Sequence, residues 1–143
     1  MENNSPDKPF NKIISTVIIL ILAGAIGIFA FVTAQKGGKP PVYAVANGVF
    51  SIDSSYGQEI KLSDIRSVEL KTEVPGNLRR TNGYGLGSVI KGKCSSDLGD
   101  LTVYLDTSKP PFIYLDTASG LVVLNDQTAE KTNALFEDLK SAM

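Results

Sequence analysis

The residues best placed for chemistry are those of "GSVIKGKC", 87–94, which read glycine, four residues, glycine, lysine. That is the spacing of a phosphate-binding P-loop, except that Cys94 stands where a Ser or Thr hydroxyl would hold magnesium. A working P-loop also needs a buried strand before the glycines and a helix beginning at the lysine, so that amides and helix dipole converge on phosphate. Here Lys93 leads into "CSSDLGD" and an alternating run, a turn and a strand rather than a helix. No nucleotide cofactor is expected. Gly83, Gly85, Gly87 and Gly92 read instead as the bends or bulges of a sharply curved strand.

Other reactive groups are sparse. The 143 residues hold no histidine, which excludes Ser-His-Asp and Cys-His catalysis and histidine-containing zinc sites. Asp97 and Asp100 share one turn and could hold a proton or a metal between them, but turn aspartates more often bond their own backbone. Cys94 beside Lys93 has the setting for a lowered pKa, against which stands the packing role usual for a lone strand cysteine. Ser88 with Lys91 or Lys93 resembles a Ser–Lys dyad that lacks an oxyanion hole. The expectation is a non-enzymatic protein without cofactor or metal.

Four cations are the better candidates for a binding site. Arg79 and Arg80 lie in what reads as a loop before the glycine-rich strand, and Lys91 and Lys93 lie within it. Gathered on one rim, they would meet anionic lipid head groups, each charge adding about 1 kcal/mol near a membrane surface. The competing reading makes Arg80 structural, bonding carbonyls within "RTNG". Residues 71–93 carry a local charge of +4 and residues 97–138 one of −6. The whole chain carries −1, so no basic field for nucleic acid exists.

The elements that must position these groups follow from the hydropathy pattern. Residues 13–34 contain no charge, and about 20 apolar residues rising ~1.5 Å each span a bilayer. Lys8, Lys12, Lys36 and Lys39 flank the run. It is longer than the apolar region of a signal peptide, so an uncleaved single-pass anchor is expected, although cleavage after Ala34 would satisfy the small-residue rule. Residues 1–12 read as a disordered tail and residues 35–41, "QKGGKPP", as a flexible linker. Counting positive charges puts the tail inside and the soluble domain on the extracytoplasmic side, by a margin of one amino group.

From residue 42 the chain alternates as short strands. Asn47-Gly48 between "VYAVA" and "VFSID" is a strong hairpin signal. "QEIKL", "IRSVELK", "GSVIKGKC", "LTVYLD", "PFIYLDT" and "LVVLN" follow. Leu101, Val103 and Leu105 point one way, and Thr102, Tyr104 and Asp106 the other. One helix closes the chain, capped by Asn125 or Asp126, with Thr132, Leu135, Phe136 and Leu139 on one stripe. Seven or eight antiparallel strands and one helix make a small barrel or sandwich plugged at one end.

The runs "RRTNGYGLGSVIKGKC", "LTVYLDTSKPPFIYLDT" and "IRSVEL" with the closing helix resemble the bacterial pleckstrin-homology-like proteins over residues 42–140. The resemblance implies a mainly β domain of two nearly orthogonal antiparallel sheets closed by a C-terminal helix, commonly joined to membrane helices. It brings no catalytic residues. Two functions are expected from these features. One is a membrane-anchored module that docks a protein partner by its barrel face or a strand edge; the other is a domain that binds a lipid head group or small ligand through Arg79, Arg80, Lys91 and Lys93.

Overall fold

A computed structural model describes residues 9–143, apart from the side chains of residues 9–11, 33, 34 and 36. The tail expected at 1–12 falls largely outside the described residues, and its last four residues are helical. The chain divides into two units, Met1–Lys36 and Gly37–Met143.

Helix α1 (Pro9–Gly38) is longer at both ends than the run at 13–34. Its segment Lys12–Val32 has a mean hydropathy of 2.7 over 21 residues. At ~1.5 Å per residue this covers the ~30 Å hydrocarbon core of a bilayer, so the helix is long and apolar enough to cross one. The hydroxyls of Ser15 and Thr16 donate to the Lys12 carbonyl at 3.0 and 2.8 Å. Back-bonding of this kind satisfies a hydroxyl within its own helix.

The second unit is mainly β. Its strands are β1 (Val42–Ala46), β2 (Val49–Asp53), β3 (Gln58–Lys61), β4 (Ile65–Lys71), β5 (Arg79–Leu86), β6 (Val89–Ser96), β7 (Gly99–Asp106), β8 (Phe112–Thr117) and β9 (Gly120–Leu124), followed by helix α2 (Ala129–Ala142). The strands form two sheets, β1-β2-β3 and β4-β8-β9-β7-β6-β5. Nine strands replace the seven or eight expected, because "RRTNGYGL" is a strand, β5, and not a loop. Its Asn, Thr and glycines carry little strand propensity, so the sequence pattern hides it. Nor is the arrangement an antiparallel barrel. Among the described residues no ladder joins the two sheets, and β7 runs parallel to β9.

That parallel pair arises because β9 inserts between β7 and β8, pairing with both. All three strands are buried on both faces, which makes them the central layer. On one face, hereafter the helix side, Tyr104, Ile113, Leu115, Val122 and Leu124 pack with Phe50, Ile52 and Ile60 of the small sheet and Leu135 and Leu139 of α2. The opposite, loop side buries Leu101, Val103, Leu105, Phe112, Tyr114, Val123 and Cys94 beneath Val74 and Leu78 of the β4–β5 connection. The alternation expected for β7 is therefore present, although Thr102 and Tyr104 are buried as well.

Local signals set the turns. Asn47 and Gly48 both have positive φ, 52° and 75°, as a type I′ hairpin turn requires. Helix α2 presents the expected stripe, with Thr132, Leu135 and Leu139 buried. Its N-cap is Thr128, whose side chain accepts from the Lys131 amide, and not Asn125 or Asp126. Asn125 is occupied elsewhere.

Candidate functional site

The P-loop-like run begins as a hairpin turn and continues as strand β6. Leu86 opposes Val89 across Gly87-Ser88, with Gly87 at φ 59°, so glycine sits first in a two-residue turn. Further along, Gly83 of β5 directly opposes Gly92 of β6. Their φ values are 148° and 111°, and a Cβ on Gly92 would lie 2.5 Å from the Asn82 carbonyl oxygen. The glycines thus serve close backbone approach where the two strands bend together.

The four expected cations do not gather on one rim. Directly opposed residues share a face of a sheet. Lys91 opposes Tyr104, and Lys93 opposes Thr102, so both stand on the helix side. Arg80 opposes buried Cys94 and stands on the loop side. Its guanidinium donates to the Gly83 carbonyl at 2.5 Å, within the "RTNG" run. Lys93 donates to the Thr102 hydroxyl at 2.9 Å. Arg79 is exposed at the start of β5.

Lys91 is the unusual member, with 1% of its surface exposed. Its ammonium donates to the carbonyl of Gly37 at 2.8 Å and to that of Lys39. Tyr84, its cross-strand partner on β5, lies against Gly37 so closely that a Cβ there would overlap the ring. Residues 37–39 are thus fixed to β5 and β6, not free as a flexible linker. Burial pushes the Lys91 amine below its ordinary pKa, because the charged form loses water.

A second buried polar group, Asn125, holds the connection between β7 and β8. That connection must pass the end of the inserted strand β9, and its backbone leaves the ladder there. The Asn125 side-chain oxygen accepts from the Asp106 amide at 2.9 Å, and its nitrogen donates to the carbonyls of Asp106 and Lys109 at 2.9 and 2.7 Å. All its donors and its acceptor oxygen are engaged. Beside it, Asp106 accepts from the Ser108 amide and hydroxyl and pairs with Lys109 at 3.1 Å. Burial alone would raise its pKa, but hydrogen bonds from Ser108, Ser88 and Lys109 outweigh that and hold the carboxyl well below the usual range. Sequence reading missed Asn125 and Asp126 as anything but helix caps, since the partners of Asn125 lie in a distant turn.

The remaining candidates take structural places. Ser88 bonds Asp106, not a lysine. Asp97 accepts from the Asn77 side chain at 2.7 Å, tying the β6–β7 turn to the β4–β5 connection, rather than bonding its own backbone. Cys94 is buried, and that raises its thiol pKa more than the Arg80 charge lowers it, the reverse of activation by Lys93.

Between residues 38–41 and the helix side of the sheet lies a cavity of about 130 Å³, whose wall includes Lys91, Asp106, Lys109 and Asp126. Comparison of the chain with protein-family models, with curated proteins and with solved structures finds no match.

Proposed function

We propose that this chain is a single-pass, membrane-anchored module of the pleckstrin-homology-like kind, non-enzymatic, which docks a protein partner by strand addition at β5. The observation that carries the reading is the free edge of that strand. β5 ends the six-stranded sheet and, among the described residues, pairs only with β6. A bulge between Arg80 and Asn82 leaves Asn82–Leu86 as its regular stretch, and Leu86 at its tip is 67% exposed. Apart from the Gly83 carbonyl, which accepts from the Arg80 guanidinium, the edge amides and carbonyls are a template for an incoming strand, and an exposed apolar side chain adds a contact for it. α2, by contrast, packs against β1, β4 and β8. The dispersal of Arg80, Lys91 and Lys93 favours a protein partner over an anionic lipid. The count of flanking lysines supports an extracytoplasmic side for domain and partner.

Crosslinking on intact cells tests this. Cys94 is buried, so Leu86→Cys supplies an accessible thiol for a membrane-impermeant maleimide photocrosslinker. The expected result is a specific protein adduct at Leu86→Cys, absent at Glu59→Cys on β3, and formed equally in about 0.5 M salt, where charge attraction is screened. No adduct, or the same adduct from both positions, overturns docking at β5. Labelling only after lysis overturns the orientation.

A further inference from the structure

Each sheet ends in two edge strands, and three of the four carry charges, a bulge or both. β5 begins with Arg79 and Arg80 and has a bulge between Arg80 and Asn82. β4 carries Arg66, Glu69 and Lys71 and has a bulge between Ile65 and Ser67. β3 exposes Glu59 and Lys61. Charges and bulges restrict what can pair with a sheet edge, and β1 has neither. Its five residues, "VYAVA", include no glycine or proline and pair with β2 in unbroken register. Among the described residues β2 is its only ladder partner. Tyr43 and Val45 pack inward on the helix-side core, whereas Val42, Ala44 and Ala46 are exposed.

The hairpin decides which groups this edge presents. Across a two-residue turn the flanking pair, Ala46 and Val49, exchanges both backbone bonds, and the alternate pairs Ala44–Ser51 and Val42–Asp53 do the same. The amides and carbonyls of Tyr43 and Val45 therefore point away from β2. We propose that two copies of this chain associate antiparallel through β1, an isologous contact centred on Ala44 that joins their three-stranded sheets into one of six. In that register Tyr43 of each copy bonds Val45 of the other, so all four outward groups on each strand are paired. Ala44 meets its own copy, and Val42 lies beside Ala46, a larger side chain against a smaller one. Centring on Tyr43 instead would set Val45 against Pro41, which has no N–H, and centring on Val45 would set Tyr43 against Asn47 in the turn. With no charge on β1, no like charges are opposed. Five residues a side bury less than the ~1,600 Å² of a standard interface, which the anchorage proposed for α1 offsets by confining copies to one bilayer. The contact is separate from docking at β5, a strand of the other sheet.

Disulfide trapping of the full chain in carbonate-washed membranes tests the proposal. Opposed Ala44 residues would have Cα atoms about 4.5 Å apart, within the range that a disulfide bridges. Oxidation with copper phenanthroline should therefore convert Ala44→Cys to a dimer on a non-reducing gel. The yield should exceed that of Ala46→Cys at least about tenfold, because two copies of residue 46 are offset by roughly 13 Å along the strand. The native chain should give no dimer, since Cys94 is buried. Ala44→Lys and Ala44→Glu each oppose like charges, so differently tagged copies of either variant alone should cease to co-purify, whereas the two co-expressed should pair. Ala44 is exposed, so neither substitution disturbs the folded chain. Absence of the Ala44→Cys dimer from membranes that retain the chain overturns the pairing and leaves the anchor standing. Equal trapping at Ala46→Cys, or co-purification unchanged by Ala44→Lys, overturns it as well.

Discussion

Asn125 and Lys91 are both buried polar side chains that tie backbone outside the ladders to the six-stranded sheet. Asn125 is neutral, 3% exposed, and its three bonds answer backbone groups of the β7–β8 turn. Lys91 is charged, 1% exposed, and answers two carbonyls with no counter-charge within ion-pair distance among the described residues. A net hydrogen bond contributes only about 0.5–1.5 kcal/mol, but a buried group left unbonded costs about 1–3 kcal/mol. A buried unpaired charge carries a further penalty for the water it has lost. The two ties therefore look alike in geometry and differ in energy. The amide stabilises the fold, whereas the ammonium holds a segment in place while opposing its own burial.

Removing the amide should have the largest effect. Asn125→Ala strands the Asp106 amide and the carbonyls of Asp106 and Lys109, and should cost about 3 kcal/mol in chemical denaturation, some of it recovered where water reaches the turn. Asn125→Asp is the sharper variant, because it keeps the acceptor for the Asp106 amide and turns two donors into an acceptor facing two carbonyls. It should be at least as destabilising as alanine. A loss under about 0.5 kcal/mol for either would show that the turn holds without its amide, and the contrast with Lys91 would collapse.

Asp106 gives an intermediate case, a charge on the same turn that is well hydrogen-bonded and partly exposed. Asp106→Asn should cost about 1 kcal/mol near pH 7, reduced by solvent screening. Because the folded-state pKa is depressed, the unfolded chain binds the proton more readily. The carboxylate's contribution is therefore present above the unfolded value of about 3.8 and lost as pH falls below it. The stability gap between native protein and variant should be constant above about pH 5 and then narrow as the pH falls through 3.8 towards the depressed folded-state value. A gap independent of pH would mean that shape rather than charge matters at this position.

How much of this is legible in the sequence depends on the range of the interaction. The Asn47-Gly48 turn, the apolar stripe of α2 and the alternation of β7 are local patterns, and they hold in the structure. Strand β5 is hidden in part because its Gly83 answers to Gly92 and the Lys91 carbonyl across the hairpin, not to its own neighbours. The insertion of β9 between β7 and β8 leaves no local mark, since a strand buried on both faces reads the same whichever way its neighbour runs. Asn125 reads as a cap because an asparagine before a helix usually is one. Its partners lie 16 and 19 residues back, brought near only by that insertion. The cations read as a rim because spacing along a strand is visible, whereas which lysine is covered by residues 37–39 is not.

The smallest expected effect is also the most informative about the comparison. Lys91→Met keeps much of the stem's volume and removes the charge, leaving the carbonyls of Gly37 and Lys39 without their donor. Lys39 is exposed, so water can replace the ammonium at its carbonyl, whereas Gly37 is buried and its carbonyl is left without a donor. Loss of two hydrogen bonds and relief of the buried charge should nearly cancel, within about 1 kcal/mol at pH 7. The sign of the pH dependence separates the two contributions. Burial lowers the Lys91 pKa in the folded protein from its ordinary value of 10.5, so between those two values the unfolded chain binds more protons. Stability of the native protein should therefore rise with pH across that window, and the same rise should be missing from Lys91→Met. Tyr43, Tyr104 and Tyr114 have raised pKa values and act in the opposite sense above about pH 10. They are common to both proteins, so the difference curve reports Lys91. A difference that stays flat from about pH 7 to 10 would show the ammonium to be as well satisfied as the amide, and the distinction between the two ties would be lost. A cost above about 3 kcal/mol at pH 7 would erase the distinction from the other direction, because the bonds to residues 37 and 39 would then outweigh the charge they bury.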